Sequence, residues 1–243
     1  RSAFMKLVIN EKIIKKNKLI GQVTTFASLA VLALGLVFAF SKDMTKILYS
    51  YIALIIGFVL SQVGMYFSTR FGRSPRFDEL FKDAFEKLRH EYTFYVYSSP
   101  VPFLLLGPCS IWVPIPVTAT GKISYENGKW KQHGGNFMMK IFGQDTLGKP
   151  LLEASSNEEA LRKYLATCGI PKEEQPPIKH IMVILTKNTA VCEVGESPIP
   201  VVNLEDLKRS VRRVDRDECE VPLNEEQTAR LTSALDAYKK KGS

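Results

Sequence analysis

The chain has 243 residues, enough for one sizeable domain with additions, and its 33 Lys and Arg against 25 Asp and Glu give a formal net charge of +8. The charge is unevenly spread: residues 1–18 contribute +5, residues 41–46 contribute +1, and the rest from Ser68 onward only +2. A nearly neutral C-terminal part removes the usual ground for assigning nucleic-acid binding from a basic pI.

Residues 19–40 and 47–67 form two runs of 22 and 21 residues without a charge. At about 1.5 Å per residue, some 20 apolar residues cross a bilayer core of roughly 30 Å, so both runs are expected to be transmembrane helices. The first is too long for a signal-peptide core and lacks a small-x-small cleavage site before the second. The link from Ser41 to Lys46 makes the pair a tight hairpin. Gly57, Ser61 and Gly64 lie at spacings that let helix backbones approach closely. Arg1, Lys6, Lys12, Lys15, Lys16 and Lys18 before the hairpin, and Arg70, Arg73 and Arg76 after it, place both ends in the cytoplasm by the positive-inside rule. The expected organisation is a basic flank at 1–18, a hairpin at 19–67 and a cytoplasmic domain at 68–243. Because the chain starts at Arg1 and not at Met, the flank is expected to continue upstream.

Phe77, Leu80, Phe81, Ala84, Phe85 and Leu88 recur at helical spacing, predicting an amphipathic helix over 75–90. Residues 92–97, 101–106 and 111–117 are rich in aromatic and branched side chains and read as strands, the last two joined by a Gly107-Pro108 turn. Strands over 121–125 and 129–132 turn through Asn127-Gly128. A helix over 157–168 stops at Gly169, and a Pro-rich loop follows over 171–177. Residues 180–185 and 190–194 read as a further strand pair, with 200–202 as a short strand. Helices over 204–214 and 224–238 complete an α+β domain with one mixed sheet. Cys109, Cys168, Cys192 and Cys219 show no metal-type spacing and are expected to be reduced thiols.

The stretch Leu-Leu-Leu-Gly-Pro-Cys-Ser-Ile-Trp-Val-Pro-Ile-Pro-Val-Thr-Ala-Thr-Gly-Lys-Ile, residues 104–123, resembles the centre of the nuclease-related domain (NERD) family. There a strand ending in Gly-Pro-Ser-Gly leads to a strand carrying Glu-x-Lys and then Gly-Lys-Ile. Asp78-Glu79 is similar to the family's opening helix, Lys129-Trp130 to its tryptophan-bearing strand, Gly148-Lys149-Pro150 through Ala160-Leu161-Arg162 to its central helix, and Pro200-Val201-Val202 with Leu204 and Leu207 to its closing strand and helix. The resemblance covers about residues 75–215 and implies a restriction-endonuclease-like fold.

In that family an Asp and a Glu on neighbouring strands hold a divalent metal that activates water, and a Lys two residues beyond the Glu orients the attack. Alignment on Gly107-Pro108 and Gly121 puts the Asp position on Pro102, the Glu on Ile115 and the Lys on Val117. None of these side chains ligates a metal, and residues 100–121 contain no Asp, Glu or Lys in any register. Glu79 alone matches a family carboxylate. The resemblance therefore implies a catalytically inactive relative with no catalytic or metal-binding residues and no cofactor.

Other chemistry is thinly marked. His90, His133 and His180 are scattered, and Ser98, Ser99 and Ser110 lack a nucleophile-elbow context. The segment Gly143 to Lys149 fails the phosphate-loop pattern because Pro150 follows the lysine. Lys208, Arg209, Arg212 and Arg213 form pairs four apart on one helix face, a candidate phosphate-binding surface without interleaved aromatics. The expected protein is a membrane-anchored binding or structural component, an accessory subunit whose partners are the lipid bilayer and a membrane-protein complex. A membrane-tethered nucleic-acid-binding protein or metal-dependent nuclease is the alternative. A small transporter is disfavoured because neither apolar run contains an ionisable group.

Overall fold

The computed structural model describes residues 4–141, 144–191 and 194–241. The chain divides into two compact units. One holds the described residues of Arg1–Glu11, Phe77–Phe137 and Asp145–Ser243; the other holds Lys12–Arg76 and the described residues of Met138–Gln144.

In chain order the elements are β1 (Lys6–Ile9), α1 (Glu11–Ala39), α2 (Met44–Phe67), a π-helical turn (Ser68–Gly72), α3 (Phe77–Phe85), β2 (Thr93–Val96), β3 (Phe103–Leu106), β4 (Ile111–Val117), β5 (Gly121–Glu126), β6 (Lys129–His133), α4 (Phe137–Ile141), α5 (Pro150–Thr167), β7 (Ile178–Ile184), β8 (Thr189–Val191), β9 (Val201–Asn203), α6 (Leu207–Asp217) and α7 (Glu225–Lys241).

The helical unit is built on a heptad of small residues. Gly21, Ser28 and Gly35 are buried on α1, and Ser50, Gly57 and Gly64 on α2, each series advancing by seven. A spacing of seven keeps one stripe facing one partner along two turns per repeat, and small side chains bring the backbones close. A Cβ added at Gly64 would lie 2.6 Å from Thr25 Oγ1 and 3.0 Å from the Thr25 amide nitrogen. Ser61, expected on this stripe, is only half-buried. Thr24 and Thr25 turn their hydroxyls back to the Ile20 and Gly21 carbonyls, so neither leaves an unpaired polar group on the helix surface. The large apolar side chains point outward: Phe26 is 72% and Ile55 67% exposed. A core helix of a soluble protein buries such residues. Both helices are long and apolar enough to cross a membrane.

The other unit is α+β with a six-stranded mixed sheet in the order β1-β2-β3-β4-β7-β9 and a three-stranded sheet in the order β6-β5-β8. β2, β3 and β4 run as an antiparallel meander, while β7 lies parallel to β4 and β9 parallel to β7. Strand periodicity sorts the side chains between two helical layers. Tyr95, Leu104, Leu106, Ile111 and Val113 meet Leu161 and Leu165 of α5 and Leu231 and Leu235 of α7. On the opposite face Phe81 and Phe85 of α3 pack edge-on against Phe103 and Phe94, with ring centroids 5.0 and 5.2 Å apart.

Three features depart from the local sequence signals. The basic flank contains a strand: β1 pairs parallel with β2 from Lys6↔Thr93 to Ile9↔Val96, and Val8 joins the core. β7 and β8 do not pair with each other. β8 leaves for the small sheet, where it runs parallel to β5. α5 begins at Pro150, well before Asn157, because proline suits a first turn whose amide needs no partner.

Candidate functional site

Antiparallel pairing of Leu105 with Trp112 and Leu106 with Ile111 fixes the geometry around the expected catalytic positions. Ile115 and Val117 follow on one face of β4, where they pair with Met182 and Ile184 of β7, and Pro102 immediately precedes β3. Ile115 is 1% and Val117 0% exposed, packed with Ile123, Ala154, Met182 and Ile184. The two β4 positions that the resemblance aligns with a Glu and a Lys are therefore part of continuous apolar core. Glu79 is half-buried on α3, whose rings cover the other face of the sheet, so it is not brought to Ile115 and Val117. Among the described residues, no three His, Cys, Asp or Glu side chains are grouped to hold a metal ion.

The candidate phosphate-binding residues do share a surface. On α6, Leu207, Val211 and Asp215 face inward at intervals of four, which turns Arg209, Arg212 and Arg213 to solvent and leaves Lys208 half-buried. Arg209 approaches Asp206 at 3.6 Å. Among the described residues no ion pair engages Lys208, Arg212 or Arg213. This face can attract phosphate, whether of nucleic acid or of lipid headgroups.

A buried polar cluster surrounds Asp215. Its Oδ1 accepts hydrogen bonds from Ser110 Oγ at 2.8 Å and Trp112 Nε1 at 3.0 Å, and its Oδ2 accepts one from Tyr92 Oη at 2.8 Å. Burial, then the hydrogen bond to Asp215 and its charge, push the Tyr92 hydroxyl well above the usual phenol range. A Cβ at Gly107 would stand 3.0 Å from both Asp215 Oδ2 and Tyr92 Cε1, so glycine is the residue that fits this turn. The carboxylate is saturated by neutral donors and positions α6 over β2 and β4; it is not a free general base. The only sequence signal for it is an acid on the apolar stripe Leu207-Val211-Asp215.

Beside this cluster Cys109 and Cys219 form a disulfide, with Cα atoms 5.8 Å apart and a separation of 110 in sequence. This corrects the expectation of reduced thiols at those two positions. Spacing could not reveal the pair, because the β3–β4 turn and the segment after α6 meet only in the folded domain. Cys168 is free and exposed, and Cys192 lies outside the described residues. A groove of about 340 Å³ runs along the disulfide, bounded by Ser110, Lys179, Asp215 and Glu218. Lys179 pairs with Glu218 at 2.6 Å, and its Nζ lies 5.6 Å from the Trp112 ring centroid.

A second buried acid organises the small sheet. Asp145, 1% exposed, accepts from the Thr120 amide and hydroxyl, Gln132 Nε2 and the Asn136 amide at 2.5–2.8 Å. Burial raises its carboxyl pKa, but these hydrogen bonds together outweigh burial and hold it below the ordinary value. Burial, the leading cause, lowers the His180 pKa. His90 and His133 stand apart from it.

No family model matches this chain, and neither does any curated protein or solved structure.

Proposed function

We propose that this chain is a membrane-anchored, catalytically inactive relative of the nuclease-related family that acts as a binding or structural component, an accessory subunit of a membrane complex. The observation that carries the reading is the apolar packing of Ile115 and Val117: the positions that the resemblance aligns with a metal-binding Glu and a water-orienting Lys are committed to the core. The order of an opening helix, a β3–β4 hairpin, a Trp130-bearing strand, a crossover helix and a closing strand and helix supports the family resemblance. The helical pair α1–α2 spans the bilayer. Because β1 precedes the hairpin and β2 follows it in the same sheet, two crossings return the chain to the side it left.

The lysine-rich flank and the arginines after α2 favour the cytoplasmic face of the inner membrane for that side. The Cys109–Cys219 bond pulls the other way, since disulfides persist mainly in oxidising compartments. We give greater weight to the charge bias, which is set by residues directly flanking the membrane. Purified full-length chain with magnesium and plasmid DNA is expected to show no cleavage above a buffer control. Cleavage that disappears in Glu79→Ala would overturn the reading.

A second reading rests on α6, where Lys208, Arg212 and Arg213 stand without ion pairs: the domain holds nucleic acid at the membrane without cutting it. DNA binding by the full chain that falls steeply between about 50 and 200 mM salt, and is weakened by Arg212→Glu with Arg213→Glu, would favour it over a protein partner.

A further inference from the structure

Between β6 and α5 the chain makes the short helix α4, whose sequence is Phe-Met-Met-Lys-Ile. None of its residues is buried. Phe137 is 73%, Met138 57%, Met139 38% and Ile141 44% exposed. Nowhere else among the described residues outside α1 and α2 do four large apolar side chains stand exposed within one short element. Water around such a cluster is unfavourable at about 25 cal/mol per Å² of apolar surface, and a run of this kind marks a contact surface. The aliphatic and thioether side chains are suited to a soft, irregular partner: methionine is unbranched and adapts to varied surfaces.

The identity of that partner follows from where the segment belongs. The described residues of Met138–Gln144, which include all of α4 after Phe137, are grouped with the hairpin segment Lys12–Arg76 and not with the two sheets that flank them in sequence. At five residues α4 is far too short to cross a bilayer, which takes about 20. An apolar helix tethered to a membrane-spanning unit, carrying a lysine within the run, has the composition of an interfacial segment.

We propose that α4 is a third membrane contact, a shallow wedge whose Met138, Met139 and Ile141 enter the boundary between headgroups and acyl chains. This rests on the reading of α1 and α2 as membrane-spanning. The occupant of the surface is lipid; a second copy of the chain or another protein would leave these side chains shielded from the bilayer.

The test uses the full chain in vesicles of phosphatidylcholine with one-fifth phosphatidylglycerol, with Cys168 and Cys192 replaced by serine and the disulfide kept. A single cysteine carrying an environment-sensitive nitrobenzoxadiazole probe is placed by Met138→Cys, by Ile55→Cys at mid-α2, or by Glu205→Cys beside α6. Quenching is read with lipids bearing a nitroxide at carbon 5 or at carbon 12. The probe at 138 is expected to be quenched at least twofold more than the probe at 205, and more by the shallow nitroxide than by the deep one; the probe at 55 should show the opposite depth preference. Strong quenching at 55 with none at 138 beyond that at 205 would overturn the wedge and leave the membrane-spanning hairpin standing. Absence of quenching at both 55 and 138 would overturn both.

Discussion

Asp215 takes three hydrogen bonds from Tyr92, Ser110 and Trp112, and each donor is buried beside it. Asp215→Ala leaves all three donors without their acceptor, so the domain should lose about 3 kcal/mol in urea unfolding, more than a typical single substitution. Asp145 gives the account a pH signature. Its folded pKa is depressed, so the stability it contributes is fully present above the unfolded value, near pH 4, and is lost as pH falls through the folded value. Wild type should therefore lose more stability than Asp145→Asn when unfolding is compared at pH 5 and pH 3. Ile115 tests the emptied site itself. Ile115→Glu puts a carboxylate among Ile123, Met182 and Ile184 with no partner. The expected loss is on the order of 3–5 kcal/mol by denaturant melting, without any gain of nuclease activity. A stable, unchanged Ile115→Glu protein would mean that the position is not core.

At the scale of elements, the helical pair depends on the absence of side chains. A Cβ at Gly57 meets the mobile end of Leu32, whereas one at Gly64 meets the Thr25 backbone. Gly64→Val should therefore lower the thermal stability of the full chain in mild detergent by several degrees more than Gly57→Ala. How much of these elements the sequence revealed depended on how local their causes are. β4 matched its expected bounds because Ile111 to Val117 is a branched and aromatic run punctuated by Gly107-Pro108 on one side and Gly121 on the other. The two apolar helices were legible from length and charge alone, and two of the six small stripe residues, Gly57 and Gly64, from their spacing. β1 was not legible, because Lys6–Ile9 is short, lies among lysines and finds its partner only beyond the hairpin. The exchange of β8 into the small sheet and the Cys109–Cys219 pair share that cause: each is a long-range juxtaposition with no local pattern. The apolar content of the catalytic positions was readable in any register, but their packing was not.

For the whole molecule, β1 changes the meaning of the N-terminal flank. The basic segment also supplies the edge of the domain's sheet, so the hairpin is inserted between two adjacent strands of one fold. A fragment beginning after α2 would lack that edge strand, and for this reason the full chain is the proper object for assays. The insertion also makes topology a direct test, because the proposed anchor puts the link at Ser41 and the domain surface at Cys168 on opposite sides of the membrane. In intact bacterial cells producing the Ser41→Cys chain, treated with a membrane-impermeant maleimide and analysed by peptide mass, the account predicts labelling at position 41. Cys168 should be labelled only after the cells are opened. Labelling of both positions from outside, or of Cys168 alone, would contradict a twice-crossing anchor with its domain in the cytoplasm.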